Sequence, residues 1–596
     1  IYNNVKTFHS ASNMVQSPRY CQGLYHQGGE NTSSQRPMSQ TKTRREKKRQ
    51  LGQFLTPLAC ASGVLSDITF QRTDTVFEPC FGDGSFLIPL IEKFLPLYDG
   101  PLHQRLDHIF AQNLYGIEID PLLYARSFQR IADRWGYHPS HHHLVLGDFF
   151  QHWFTLESDS VVSATPPPQP LRQFDYIVGN PPFGGTIDPR IQDLLDRQFG
   201  FRDGDKIKKE TYAFFIVKCL DLLAKQGRLR FICSDTFLTI PTMRGLRRLL
   251  MRHGQISVQT LQSFSNETNH AMVVLDFQRG SSAKQITLNG RTITAETIAL
   301  TGNHSWRITE DLAAYFRGPK LGDVIVASSG MTTGKNDFFL RPITAGTIIE
   351  PYEFEYFEDT ISLEKELRRA RLGKLSPYKR AQIEQLERSG ATRRNIRIRL
   401  RPEPLLITLP HPDYQPYNKA QKAIVYAEPT HMIYWKDDGD AVRTFKRNGN
   451  WYLHGVGGQR FFGREGITWQ LIAQRLNMRY LPPGYVLDSG APAAFLRPGF
   501  DQDELFFILA WALTPLCERI LKEVVNHTKN IQSKDFERLP YPFWVTGAQK
   551  QQIITMMRDM VAAARAGRVV SRTDADMLHL YTLFDATDLA LTHPTS

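Results

Sequence analysis

The chain has 596 residues, 72 Lys/Arg against 60 Asp/Glu for a formal net charge of +12, with 41% hydrophobic and 22% charged residues. That length suits several domains of about 100–200 residues each, and the ordinary composition excludes a disordered or collagen-like chain. No uncharged apolar run reaches the roughly 18 residues of a membrane span. Six scattered cysteines (Cys21, Cys60, Cys80, Cys219, Cys233, Cys517) form no C-x-x-C pair, which argues against a disulfide scaffold or zinc ribbon and for a reducing cytoplasm.

The charge is concentrated. Residues 1–50 hold nine Lys/Arg and two Glu, and residues 364–401 hold thirteen and four, leaving a slightly acidic remainder. Two local basic stretches point to polyanion contacts at defined places, with solvated polar surface as the alternative. Residues 1–50 are Gln/Ser/Asn-rich without helical or strand period and read as a basic disordered arm. The arm has no apolar core like that of a secretory signal, and a transit or nuclear signal stays open.

From 51 to about 280, short β-branched or aromatic runs alternate with helical segments. Val76-Phe77, Leu114 to Ile117, Leu144 to Leu146, Tyr176 to Val178, Leu229 to Ile232 and Met272 to Leu275 read as strands. Stretches near 85–97, 121–135, 211–225 and 244–252 read as helices. The alternation predicts an α/β fold with a doubly wound, Rossmann-like parallel sheet whose ligand sits at the carboxyl ends of its strands. After about 315 the texture changes to short strands, turns and aromatics, a mixed α+β pattern interrupted by a charged stretch (362–401) with helical character; 501–523 and 546–585 read as helical.

The motifs fall at strand ends. Glu78-Pro79-Cys80-Phe81-Gly82-Asp83-Gly84-Ser85-Phe86 follows a strand and opens a helix, its glycines permitting close backbone approach to a ligand. It matches neither nucleotide-phosphate spacing. Gly116-Ile117-Glu118-Ile119-Asp120 puts a carboxylate where both hydroxyls of a ribose can be accepted, and Gly147-Asp148-Phe149 puts another on the same rim. Asp175-Tyr176-Ile177-Val178-Gly179-Asn180-Pro181-Pro182-Phe183 cannot continue a sheet, because neither proline donates an N–H. It makes a rigid turn presenting Asn180 and the Pro181 carbonyl as acceptors beside an aromatic ring, a constellation suited to the exocyclic amine of a planar base. His141-His142-His143, near His138, lacks complementary Cys or acidic ligands and reads as a loop; no metal is expected. Asp235 and Arg244 follow a strand and could line the cleft.

In this order, with Gly52-Gln53-Phe54-Leu55-Thr56-Pro57 ahead of them, the motifs resemble the γ-class amino-methyltransferases that methylate N6 of adenine in DNA. The resemblance implies S-adenosylmethionine as cofactor, with Thr56, Glu78, Cys80, Gly82 and Gly84 around its methionine end. It implies Glu118 on the ribose, Ile119 against the cofactor adenine, Asp148 on its amino group and Phe149 beside it. Asn180, Pro181, Pro182 and Phe183 become catalytic, and Phe264 a second aromatic on the target base. Leu321-Gly322-Asp323-Val324 and Gly330 to Asp337, with Lys529-Asn530-Ile531 and Leu539-Pro540-Tyr541-Pro542, resemble the start and end of a TaqI-type target-recognition domain. That likeness implies DNA contacts by Thr332, Thr333, Lys335, Asn336 and Lys529.

The expected organisation is an arm (1–50), a methyltransferase domain (51–315), a DNA target-recognition domain (316–545) containing the basic helical stretch 362–401, and a C-terminal helical segment (546–596). The expected activity is site-specific adenine-N6 methylation of double-stranded DNA in a restriction-modification or phage-defence system, in the bacterial cytoplasm and away from membranes, with a separate restriction or defence subunit as a further partner. An amino-methyltransferase acting on RNA or protein, and a DNA-binding defence subunit with vestigial catalysis, are the alternatives. No stretch ahead of Leu51 is large enough for a nuclease, and no P-D…(D/E)-x-K arrangement is found, so cleavage by the same chain is not expected.

Overall fold

A computed structural model describes residues 55–154, 161–163, 171–183, 189–261, 271–360, 385, 392–445 and 458–585. The expected arm, Gly52 to Phe54, Phe264 and most of the stretch 362–391 lie outside them. The chain divides into two compact units between Arg307 and Ile308, rather than after 315. Buried Trp306 closes the first unit, its backbone N–H donating to the Leu238 carbonyl, and buried Ile308 and Leu312 begin the second.

The first unit is built on a nine-stranded sheet. In chain order its strands are β1 (Val76–Glu78), β2 (Leu114–Glu118), β3 (His143–Leu146), β4 (Phe174–Gly179), β5 (Leu223–Ser234), β6 (Gly254–Leu261), β7 (Met272–Arg279), β8 (Gln285–Leu288) and β9 (Arg291–Thr294). Their spatial order is β9-β8-β6-β7-β5-β4-β1-β2-β3. Strands β3, β2, β1, β4 and β5 run parallel, while β7 pairs antiparallel with both β5 and β6. Helices α1 (Leu58–Val64), α2 (Leu87–Phe94), α3 (Pro121–Trp135), α4 (Thr211–Leu222) and α5 (Arg244–His253) accompany the sheet. Every strand and helix expected in this region is present; β6, β8 and β9 are additions.

The local causes are visible in the residues. Asp120, two residues past β2, caps α3 by accepting the Leu122 N–H at 2.9 Å, with Pro121 as first helical residue and Gly136 at φ +61° as terminator. Strand β4 is tied beside β1 by Asp175, whose Oδ2 accepts from Thr75 N at 2.9 Å and Thr75 Oγ1 at 2.8 Å. An aromatic layer fills the core: Phe77 stacks on Phe174 at 4.9 Å and Phe149 on Phe215 at 4.7 Å. Strand order reverses at β1/β4, the point at which an open α/β sheet leaves a ligand crevice. Glu78 ends one of these strands, and Asn180 follows the other.

The second unit holds two four-stranded sheets and a long ribbon. One sheet runs β10 (Ile325–Ser328), β19 (Ala493–Leu496), β16 (Gly466–Thr468), β17 (Arg479–Leu481); the other runs β11 (Leu340–Pro342), β15 (His431–Tyr434), β14 (Tyr414–Asn418), β18 (Val486–Leu487). The ribbon pairs β12 (Thr347–Thr360) with β13 (Thr392–Thr408). Residues 392–401, placed by the sequence reading in a helical stretch, are therefore strand. From Asn395 to Arg401 the chain alternates Ile396, Ile398 and Leu400 with arginines, the period of two that belongs to a sheet. Ile396 and Ile398 face the core with Phe354, while Arg399 and Arg401 pair with Glu355 and Glu353 at 3.0 and 3.1 Å. Helices α6 (Asp503–Leu513) and α7 (Gly547–Arg565) complete the unit, α6 buried from Phe507 to Leu513.

One buried cation fastens the loop after β5. Arg247 of α5 is fully buried and donates to four carbonyls: His304 at 2.7 Å, Asn303 at 2.6 Å, Ile240 at 3.1 Å, and Phe237. Arg247→Met would strand those acceptors without water. The first unit should lose at least about 3 kcal/mol, measured as a fall in the urea midpoint of its transition at unchanged slope.

Candidate active site

The crevice is lined by carboxylates brought to three adjacent strand ends. Glu78, at the end of β1, is 2% exposed, and its Oε2 has no hydrogen-bond partner among the described residues. Burial, then the neighbouring charges of Glu118 and Asp83, hold its carboxyl well above the usual carboxylate range. Glu118, at the end of β2, accepts the amide N–H of Gly82 on Oε2 and that of Asp120 on Oε1, both at 2.8 Å. Burial raises its pKa against those two bonds. Asp83 is neutralised by Arg130 of α3 at 3.0 Å, and Arg130 also donates to the Asp83 carbonyl and to Ser85 Oγ, both at 3.1 Å. Of Glu78, Glu118 and Asp83, Glu78 is the one without a compensating donor among the described residues.

The Gly-rich turn fits this seat through its missing side chains. Gly84 has φ +82°, and a Cβ there would stand 3.1 Å from Cβ of Ser127 in α3. Gly179 has φ +149°, with its Cβ position 3.5 Å from the Glu78 Cγ, so the end of β4 passes directly beside that carboxylate. Gly82 serves through its amide, which holds Glu118 in place. Next to Glu118, Ile119 is 50% exposed, an apolar face at the mouth of the crevice. Asp148, after β3, caps a short turn by accepting from Phe150 N and Gln151 Nε2, each at 2.9 Å. The Phe149 side chain points inward to Phe77 and Phe215 and is 3% exposed.

The turn after β4 meets the N-terminal motif. Asn180 Nδ2 donates to Thr56 Oγ1 at 3.1 Å, across 124 residues of sequence. The Cys80 thiol donates to the Asn180 carbonyl at 3.4 Å, and burial pushes that thiol's pKa up, keeping it protonated. Engaging the amide nitrogen fixes which end of Asn180 accepts. Pro181 is buried, Pro182 half-buried, and Phe183 4% exposed. Thr56, Glu78, Cys80, Gly82, Gly84, Glu118 and Asn180 thus gather in one place, with Asp148 on the next strand end. Phe264 falls outside the described residues.

Elsewhere the residues singled out have other surroundings. Asp235 is buried and paired with Arg307 at 3.0 Å. His143 stacks on Tyr115 at 4.3 Å, and His142 accepts the Leu144 N–H at 3.3 Å. In the second unit Thr332 is exposed, whereas Thr333 is buried and donates to Asn336 at 2.7 Å. Lys335 Nζ lies 4.0 Å from the Phe338 ring centroid. Lys529 is exposed, and its carbonyl accepts from Ala473 N at 2.8 Å. The Ser329 and Ser533 hydroxyls approach to 3.5 Å, bringing the two expected DNA-contacting segments near each other. Sequence reasoning passed over Lys218, one charge inside the otherwise apolar Tyr212–Leu220 run of α4; a lone cation within an apolar helix was the available signal.

Residues 147–267, from the third strand end through β6, match the family model described as Eco57I restriction-modification methylase. The chain is 25% identical over 252 residues to the Type II methyltransferase M.HincII of Haemophilus influenzae, covering 41% of this chain and 40% of that protein. It is 28% identical over 187 residues to the Type II methyltransferase M.BstVI of Geobacillus stearothermophilus, covering 30% and 31%. The matched stretches thus span about two-fifths or less of these relatives. Among solved structures, the Type IIL restriction-modification enzyme MmeI in complex with DNA is similar in fold, at TM-score 0.52 and 13% identity over 94% of this chain and 74% of that one. No helix among the described residues is long and apolar enough to cross a membrane. The likeness to restriction-modification methylases therefore rests on residues 147–267 and on relatives matched over part of their length.

Proposed function

We propose that this chain is a site-specific DNA adenine-N6 methyltransferase dependent on S-adenosylmethionine, working in a bacterial restriction-modification or phage-defence system. The carrying observation is the placement of Asn180 at the β1/β4 crevice, held by Thr56 and Cys80 and one residue from Gly179, which abuts Glu78. The names of the relatives, methyltransferases of Type II systems, support the same reading. Double-stranded DNA is the macromolecular partner and the cytoplasm the compartment; cleavage would belong to a separate subunit.

The crevice fits the cofactor. S-adenosylmethionine, when bound, supplies a methyl group made electrophilic by its sulfonium. Glu78, buried without a donor among the described residues, offers a carboxylate to the positively charged methionine end, which Thr56, Cys80, Gly82 and Gly84 surround. Glu118 keeps lone pairs for ribose hydroxyls beyond the two amides it accepts. Ile119 offers an apolar face to the adenine, with Asp148 at its edge and Phe149 supporting the rim from within.

At the target, Asn180 and the Pro181 carbonyl accept the two N–H bonds of an exocyclic amine. That amine is a poor nucleophile because its lone pair is delocalised into the ring. Two acceptors favour a tetrahedral nitrogen whose lone pair is directed at the methyl. Pro181 and Pro182 hold the turn rigid, so positioning and electrostatics carry most of the rate. A base inside a duplex cannot reach such a turn and must be extruded, at a cost of a few kcal/mol. Stacking on Phe183 and Phe264 offsets about 1–3 kcal/mol per stacked base. In the second unit, Thr332, Thr333, Lys335, Asn336 and Lys529 contribute to DNA binding.

Transfer of labelled methyl groups to duplex DNA, RNA and protein tests the reading: label should enter adenine of duplex DNA, and label in RNA or protein alone would overturn it. Asn180→Ala should lower turnover at least about 100-fold while cofactor affinity stays within about threefold. Glu78 supplies a second expectation. Its raised pKa leaves part of it protonated in the free protein above the ordinary carboxylate range, and a cationic ligand favours the ionised form. Cofactor binding above the ordinary carboxylate range should therefore release protons, and affinity should rise with pH as Glu78 ionises. Calorimetry in buffers of different ionisation enthalpy reads the release, which Glu78→Gln should abolish.

A further inference from the structure

The turn that carries Asp148 is held from beneath by a group the transfer reaction does not use. Lys218 lies in α4, fully buried, and no carboxylate stands within ion-pair distance of it among the described residues. Its Nζ donates to the Phe149 carbonyl and, at 2.5 Å, to the His152 carbonyl. It sits 4.4 Å from the ring centroid of Phe149 and 4.0 Å from that of Trp153. From the other side, the His152 ring covers Gly147 and its Nδ1 bonds the Asp148 carbonyl at 2.8 Å. The turn Gly147 to Trp153 is thus held by its own His152 imidazole on the Asp148 carbonyl and by the Lys218 amine on the Phe149 and His152 carbonyls. A buried lysine costs stability unless its donors are used. Here two N–H groups go to carbonyls, and the two aromatic faces accept the remaining charge. Burial brings the pKa down to about 7, so the amine can lose a proton and keep both carbonyl bonds.

We propose that Lys218 is a positioning residue for the cofactor: by fixing the carbonyls of Phe149 and His152 it sets the height of the Asp148 rim against Ile119, and hence the seat of the cofactor's adenine. The inference rests on the cofactor reading of the crevice and extends it to a residue outside the crevice. The target base is bound elsewhere, at the turn after β4, so loosening this rim should weaken cofactor binding and leave the chemical step nearly intact.

The test uses the full chain and S-adenosylmethionine, with binding by calorimetry and steady-state transfer to duplex DNA. Lys218→Met should raise the cofactor Kd and KM at least about tenfold, with kcat within about threefold and the KM for DNA unchanged. Gly147→Ala, whose Cβ would meet the His152 ring at 2.9 Å, displaces the same turn without touching Lys218. It should show the same split, and it carries the test if Lys218→Met does not fold. A parent chain that binds cofactor, with both folded variants binding it equally well, overturns this inference alone. A loss confined to kcat overturns it too. A parent chain that does not bind the cofactor overturns the cofactor reading together with it.

Discussion

The constraint behind the first unit is the burial of three neighbouring carboxylates. Glu78, Asp83 and Glu118 would repel if all were ionised and unsolvated, and the fold answers each differently. Asp83 receives Arg130, and Glu118 receives two backbone amides. Glu78 receives nothing from the described protein. An acceptor buried without a donor is expensive, and such a cost persists where a ligand offsets it. The glycine that ends β4 leaves backbone, rather than side chain, beside that carboxylate. The crevice is in this sense selected for a ligand that brings positive charge.

Much of this was legible in the chain because the motifs obey local rules. Strand-ending carboxylates at Glu78, Glu118 and Asp148 follow from apolar runs broken by Gly or Asp, and a proline pair after Asn180 can only be a turn. The long-range pairings were not legible. Nothing local in Thr56 or Asn180 says that a hydroxyl will accept an amide proton 124 residues away. Nor does the spacing of Gly147-Asp148-Phe149 reveal that the Phe149 ring turns inward while the Asp148 carboxylate is used by the next turn of backbone. Both outcomes are decided by packing of elements that sequence order leaves far apart.

The second unit shows the opposite balance. There the local pattern was misread because charge outweighed period: six arginines between 388 and 401 suggested a helix, yet Ile396, Ile398 and Leu400 alternate with three of them. The structure sorts Ile396 and Ile398 onto the Phe354 and Tyr434 cluster and Arg399 and Arg401 onto Glu355 and Glu353, while Leu400 stays exposed. At the ribbon's base, Arg341 and Glu350 form a buried two-bond pair at 2.9 and 2.6 Å, and Tyr414 donates to the same carboxylate. Arg341 also reaches the carbonyls of Asp337 and Phe338. The ribbon and the segment after Asn336 are therefore held by one guanidinium, so the register of one depends on the other.

The same economy of contacts ties the two halves of the candidate reaction site. Asn180 touches Thr56 through its side chain and Cys80 through its backbone, and both partners belong to the motifs assigned to the cofactor. Each such bond is worth only about 1 kcal/mol net, too little to dominate stability but enough to bias a turn with few alternatives. The prolines after Asn180 remove most of those alternatives. A shift of the Gly-rich turn would thus reach Asn180 through the single bond from the Cys80 thiol. On the proposed reading, that couples the Gly-rich side of the cofactor seat to the acceptor turn, while the Asp148 rim is held separately by Lys218.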